Sequence, residues 1–317
     1  MGLEPTTFSL ATRRSTTELC PLNNYNYKYQ IFENQVILLN MIIWLTSYPK
    51  SGNTWVRSFL SAYYFSQDGD FNFNLLESFK QFPSKDFVNL NLKNPLDIVK
   101  QWEPVQEDIL SKKKIVFLKT HNALISLNNT KFTSPKYTLG FIYIIRDPRN
   151  LITSLKNHTD ISYEEALSFM LDKNTVLYDT KVNDYDAAHF ISSWRMHYKS
   201  WLNNDVFKKM IIRYEDLENN SHEIFYKLIN FTNSLMKRND KVDEKKLEKA
   251  IETTNFNNLR KKEENGEFNE NAISLKTNEK VKFFNMGYKN NWNKILPQEL
   301  KIKLNDKFKD DISYLRY

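Results

Sequence analysis

Residues 44–60 read WLTSYPKSGNTWVRSFL: an apolar run stops at Tyr48, and Pro49, Lys50, Ser51, Gly52, Asn53 and Thr54 intervene before a helix-like pattern resumes. A turn of this kind can cradle an anion. Gly52 lets backbone come close to a ligand, successive N–H groups at a helix N-terminus favour negative charge, and Lys50 adds a mobile cation. A plain strand-to-helix turn with an exposed lysine has the same composition. The loop is also shorter than G-x-x-x-x-G-K-[ST] and lacks the upstream glycine, which makes a nucleoside-triphosphate site a poor fit. Two further polar segments follow apolar runs, KTHNAL at 119–124 and RDPRN at 146–150. Taken alone, a histidine after a strand is more often a hydrogen-bonded structural residue. Arg-Asp-Pro-Arg alone reads as a strand exit with its own Asp–Arg ion pair.

The elements that must position these residues follow from periodicity. Near-continuous Ile, Val and Phe content predicts parallel strands buried on both faces at 42–48, 114–120, 140–147 and 209–217. Helical patterns lie between them at 54–64, 148–158 (with Pro148 at N1), 162–171, 187–202, 222–232 and 243–252. Strands alternating with helices predict a single α/β domain, a central parallel sheet flanked by helices with a P-loop-like strand–turn–helix. Ligands of such sheets sit beyond the carboxyl ends of the strands, and all three polar segments fall there. The Asn/Lys-rich stretch 257–282 reads as a surface loop or lid.

Bulk properties exclude several classes. The chain has 317 residues and a formal charge of +7, much of it in lysine clusters such as 112–114 that read as solvated faces; no nucleic-acid partner is expected. One cysteine, Cys20, rules out a disulfide within the chain and a cysteine-rich metal site. The longest apolar run, VILLNMIIWL at 36–45, is too short to span a membrane, and a cytoplasmic protein is expected. The opening GLEPTTFSLATRRSTTELCP resembles the peptide obtained when a bacterial tRNA gene is translated by mistake. Met41 stands where the first strand begins, so residues 1–40 are expected to be a misassigned or disordered extension and 41–317 the working domain.

A resemblance sharpens the chemistry. YPKSGNTW is similar to the 5′-phosphosulfate-binding loop of sulfotransferases that use 3′-phosphoadenosine 5′-phosphosulfate (PAPS). IIRDPRNLITSLKNH resembles that family's 3′-phosphate segment, which implies that Arg146 and Ser154 hold the phosphate; an arginine fork suits a phosphate dianion. FLKTHNAL resembles its Lys-x-His element, making Lys119 and His121 catalytic and His121 the base. SWRMHYKSW (193–201) resembles the Ser-Trp-x-x-His helix. By the same resemblance Trp55, Tyr214 (in IIRYEDL, a strand in the family) and Phe256 (in TTNFNNLR) approach the adenine, and Gly287 belongs to the C-terminal donor segment. The matches run from 42 to about 292. In FFNMGYKNNW, Asn285 and Met286 replace the family's Arg-Lys pair, and Lys289 or Lys282 could substitute.

The resemblance implies sulfuryl transfer from PAPS to a hydroxyl of a sugar, lipid or small metabolite, the acceptor being a small molecule or glycan. Lys50 would neutralise charge on the leaving nucleotide, Lys119 and backbone N–H groups would hold the transferring oxygens, and no metal is required. The donor grip comprises Lys50, Ser51, Gly52, Asn53, Thr54, Trp55, Arg146, Ser154, Tyr214, Phe256 and Gly287. Asn53 and KTHNAL look more like bacterial than animal members. Two other readings are a nucleotide-binding module of the same fold weakened in catalysis, and a kinase using Lys50 with magnesium. The remaining histidines, His158, His189, His197 and His222, read as surface or packing residues on helices.

Overall fold

The computed structural model describes residues 8–9, 20–21, 40–87, 94–112, 115–181, 184–268, 270–271, 274 and 279–317. The expectation for 1–40 therefore falls almost wholly outside the described residues. The strands in chain order are β1 (Phe8–Ser9), β2 (Cys20–Pro21), β3 (Met41–Ser47), β4 (Ile115–Thr120), β5 (Ile125–Leu127), β6 (Thr130–Lys131), β7 (Thr138–Ile145), β8 (Val176–Lys181), β9 (Asp184–Phe190) and β10 (Lys208–Arg213). The helices that matter for the site are α1 (Asn53–Phe65), α2 (Trp102–Lys112), α3 (Pro148–Thr159), α4 (Tyr163–Leu171), α5 (Trp194–Leu202) and α6 (Tyr214–Asn219). They continue with α7 (Ser221–Leu235), α8 (Glu244–Thr253), α9 (Phe256–Glu264), α10 (Trp292–Ile295), α11 (Gln298–Lys307) and α12 (Lys309–Leu315).

Strand β3 is apolar from Met41 to Leu45 because it is buried on both faces, and Thr46 and Ser47 at its carboxyl end are buried as well. With a period of two, Ile42 and Trp44 enter one apolar cluster while Ile43 and Leu45 enter another. The same division recurs in β7, where Phe141, Tyr143 and Ile145 face the first cluster and Ile142 and Ile144 the second. The sheet is thus a partition between two cores, as expected of an α/β fold with helices on both sides. Its order is β10-β7-β3-β4 with every pair parallel. From β3 the chain moves to one side to make β4 and then crosses back to make β7 on the other. The order reverses at β3, and its carboxyl end is where a ligand crevice opens. The turn at 48–52, His121, Arg146 and Tyr214 all leave the sheet at that edge.

Three expectations need correction. The segment 187–202 is not one helix: β9 runs to Phe190 in an antiparallel pair with β8, and the helix starts after Ser193, whose side chain accepts from the Met196 N–H. The helical spacing Trp194, His197, Tyr198, Trp201 begins only there, and the alanines at 187–188 merely mimic an earlier start. Second, β10 ends at Arg213 rather than 217, because the apolar run stops at Ile212 and Glu215 and Asp216 occupy the first turn of α6, where acidic side chains favour a helix N-terminus. Third, 257–282 is not all loop, since Asn255 caps α9 by accepting from the Asn258 N–H. That helix buries only Leu259, so its sequence carries almost no apolar period. No helix among the described residues is long and apolar enough to cross a membrane.

Candidate active site

The crevice at the β3 edge is a cavity of about 300 Å³. Of the residues the sequence assigns to the site, Lys50, Gly52, Asn53, Thr54, Trp55, Lys119, His121, Arg146, Ser154, Tyr214, Phe256 and Gly287 line it. Ser51 does not. It is fully buried beneath the turn, and its Oγ has no hydrogen-bond partner.

The turn is shaped by two residues in the left-handed region, Lys50 at φ 65° and Gly52 at φ 102°. Gly52 caps α1 through its backbone, its carbonyl accepting from Trp55 N–H (3.1 Å) and Val56 N–H (3.3 Å). The N–H groups of Asn53 and Thr54, at the first helical positions, have no acceptor inside the helix and are available to an anion, whereas the Ser51 N–H is donated to the Tyr48 carbonyl (3.3 Å). The Asn53 side chain faces the strand instead, where its Nδ2 donates to Ser47 Oγ at 3.2 Å and ties the turn to β3. A β-carbon on Gly52 would lie 2.6 Å from the Tyr214 ring. Gly52→Ala is therefore expected to cost about 1–3 kcal/mol of stability from backbone strain alone, read as a lower urea midpoint. An unchanged midpoint would mean that neither the φ value nor the ring contact constrains this position.

Lys50 places its Nζ 3.6 Å from the centroid of the Phe283 ring. Burial, then the Arg146 guanidinium, draws its ammonium down to about 7. The Asp147–Arg149 pair expected from the plain reading of RDPRN exists: Asp147 accepts from Arg149 Nη2 at 2.7 Å and from its Nε. Arg146 donates from Nη1 to the Lys50 carbonyl (3.0 Å), lies 4.0 Å over the Tyr214 ring, and has a buried Nε with no partner. Arg146 is a buried cation at the wall of the crevice, and a guanidinium fork there suits an anionic ligand group. Ser154 lies two turns along α3 on the same wall.

His121 follows β4 and is 9% exposed. Its Nδ1 lies 2.8 Å from the Ser47 carbonyl oxygen. A carbonyl only accepts, so Nδ1 bears the hydrogen and Nε2 is left with a lone pair. Burial, then the Lys119 ammonium, holds the imidazole well below the ordinary histidine value. His197 braces this residue from behind, its Nε2 donating to the His121 carbonyl at 3.1 Å while its Nδ1 meets the Tyr143 hydroxyl at 2.8 Å. His197 is thus the packing residue the sequence suggests. His189 is buried too, but on β9 rather than a helix, and His158 lines the cavity beside Phe283.

Aromatic side chains line the same cavity beside the turn and Arg146. Trp55 meets Tyr214 edge-on, with centroids 6.0 Å apart, and Phe256 meets Phe284 in the same manner. Tyr214 opens α6 rather than sitting in a strand. Gly287, at φ 54°, allows Phe256 its place, since a β-carbon there would lie 2.7 Å from the ring. Each of the two site glycines thus makes room for one aromatic side chain.

Two residues of the site escape sequence reading, Arg57 and Glu270. Arg57 carries a signal: it is the sole charged residue of α1 and lies on its buried side. Glu270 carries none, being one of several acids in ENGEFNENA. It bridges Arg57 (2.6 Å) and Lys119 (3.7 Å) at the cavity wall. Burial would raise its carboxyl, but Arg57 and then Lys119 outweigh that and hold it at about 2. Among the described residues no group of three or more His, Cys, Asp or Glu could hold a metal ion.

The turn at 49–54, the Arg146 guanidinium and the aromatic side chains beside them line one cavity. Known proteins share this fold. The sequence profile of the sulfotransferase domain matches residues 41–315. Retinol dehydratase in complex with androsterone and the inactive cofactor PAP superposes with a TM-score of 0.55 at 14% identity, over 87% of this chain and 83% of that one. Mouse sulfotransferase SULT7A1 complexed with PAP superposes with a TM-score of 0.50 at 15% identity, over 86% and 85%. No curated protein sequence matches the chain.

Proposed function

Because the chain belongs to the sulfotransferase domain family, we propose that it transfers a sulfuryl group from PAPS to a hydroxyl acceptor with His121 as general base. The observation that carries this reading is the Ser47 carbonyl on His121 Nδ1, which presents a bare Nε2 to the cavity that also holds the Lys50 turn and Arg146. Sulfuryl transfer passes through a loose, charge-separated transition state, so positioning and electrostatics dominate. His121 Nε2 takes the acceptor's hydroxyl proton as the new oxygen–sulfur bond forms. The bond from sulfur to the 5′-phosphate oxygen breaks, and adenosine 3′,5′-bisphosphate leaves with the electron pair. Lys50 neutralises that oxygen, and Lys119 holds the oxygens in transit. Arg146 and Ser154 receive the 3′-phosphate, and Trp55, Tyr214 and Phe256 receive the adenine.

The cavity lining also includes Gln81, Ser84, Asp86 and Glu270 with Phe169 and Leu177. Such a lining favours an acceptor with several polar groups, a sugar or a hydroxylated metabolite, over a wholly apolar one. A second reading, a nucleotide-binding module weakened in catalysis, is favoured by one observation: Asn285 and Met286, both uncharged, line the cavity beside Asn157, whose amide meets the Met286 sulfur at 3.8 Å. Arg146 then faces the 3′-phosphate with less cationic help.

Adenosine 3′,5′-bisphosphate is expected to raise the thermal midpoint by mass action, and ATP with magnesium to raise it less at equal concentration. A larger response to ATP with magnesium would replace the sulfotransferase reading with a kinase one. Stabilisation by the bisphosphate with no transfer of sulfur-35 across an acceptor panel would favour the inactive module.

A further inference from the structure

Arg57, Glu270 and Lys119 form a charged cluster in which the transfer step uses only the lysine. Arg57 is fixed by three acceptors: its Nε donates to the Phe79 carbonyl at 2.6 Å, its Nη2 to the Leu76 carbonyl at 3.1 Å and its Nη1 to Glu270 Oε1 at 2.6 Å. A guanidinium pinned by two backbone carbonyls has one orientation, and it sets that of the carboxylate it holds. The other oxygen, Glu270 Oε2, lies 3.7 Å from Lys119 Nζ. The two distances divide the work. Glu270 is anchored on Arg57 and only tethers Lys119, whose ammonium is matched in charge yet keeps donors for an oxygen in front of it.

We propose that Glu270, held by Arg57, is a positioning residue for the transfer reaction, aiming Lys119 into the cavity beside His121. This rests on the sulfotransferase reading of the site. Lys119 is 7% exposed, and the charged or titratable groups around it are Glu270, Arg57, Lys50, His121, His158 and His189. Among the described residues, Glu270 is the one carboxylate within ion-pair distance of its ammonium. Burial draws that ammonium below its ordinary value, and Glu270 opposes the draw. Without the carboxylate, the Arg57 and Lys119 cations would face each other unopposed, and the lysine would discharge at lower pH. Glu270 keeps 39% of its side-chain surface open, so water tempers the coupling, and an isosteric change does not threaten the fold.

The test is a pH titration of the full chain with 13Cε-labelled lysine, the Lys119 signal being assigned by its loss in Lys119→Arg. In Glu270→Gln the Lys119 midpoint is expected to fall by about one pH unit or more. In Glu270→Asp, which keeps the charge, it is expected to stay closer to wild type. In parallel, the alkaline limb of kcat for sulfur-35 transfer moves down in Glu270→Gln by the same interval. Superimposable Lys119 titrations in wild type and Glu270→Gln would overturn the proposal. A shifted titration in a protein that transfers no sulfate to any acceptor would support the coupling and sink the transferase reading instead, which keeps the two failures apart.

Discussion

His121→Ala is expected to lower the rate of sulfuryl transfer at least about 100-fold, the range of general-base catalysis, with affinity for adenosine 3′,5′-bisphosphate unchanged. The expectation rests on the division of the imidazole's two nitrogens. Nδ1 is committed to the Ser47 carbonyl, and among the described residues Nε2 has no hydrogen-bond partner. The low basicity imposed by burial and Lys119 then has a definite sign. The working base is the neutral ring, so activity should persist as pH falls through about 6.5, where an ordinary histidine is half protonated. The cost is a weaker base, which suits a step in which little charge builds on the acceptor before the leaving oxygen departs. Single-turnover transfer with sulfur-35-labelled donor and equilibrium binding of the bisphosphate separate the two effects. Turnover equal to wild type would remove His121 from the mechanism. A matched loss of nucleotide binding would make it a structural residue, the role already filled by His197, whose ring nitrogens both have partners.

What was legible in the sequence follows from how local each feature is. Strands β3, β4 and β7 could be read because burial on both faces keeps them largely apolar. Strand β10, expected to be buried on both faces as well, is instead an edge strand with Lys208 and Ile211 exposed, and its apolar stretch Met210–Ile212 alone marked it. The plain reading of RDPRN holds in that Asp147 pairs with Arg149, while Arg146 beside it turns to the Lys50 carbonyl and the Tyr214 ring. Non-local features were not legible. Strand β9 exists through pairing with β8, and no property of 184–190 alone outweighs its alanines. Glu270 meets Arg57 across 213 positions of chain, and only the folded crevice distinguishes it from its acidic neighbours. Ser51 has the right type and spacing for an anion site, yet its neighbours in the left-handed region turn it under the loop.

Lys50→Met is expected to slow transfer about 10²–10³-fold, comparable to removing one donor that stabilises developing charge, while weakening bisphosphate binding less. The charge Lys50 meets is larger in the transition state than in the bound donor, because the bridging oxygen gains a full negative charge only as the sulfur–oxygen bond breaks. The same lysine makes nucleotide binding depend on pH. In the empty crevice burial and Arg146 draw its ammonium down to about 7, and a bound anion raises it again. The protonated form binds, so affinity should be fully developed below pH 7 and fall as pH rises through that value. At pH 7 binding should take up about half a proton from solvent. Isothermal titration of the bisphosphate in buffers of different ionisation heat measures this uptake directly. Lys50→Met should abolish it, and wild-type binding without proton uptake near neutrality would show that the Lys50 ammonium stays charged beside Phe283 whether or not a nucleotide is present.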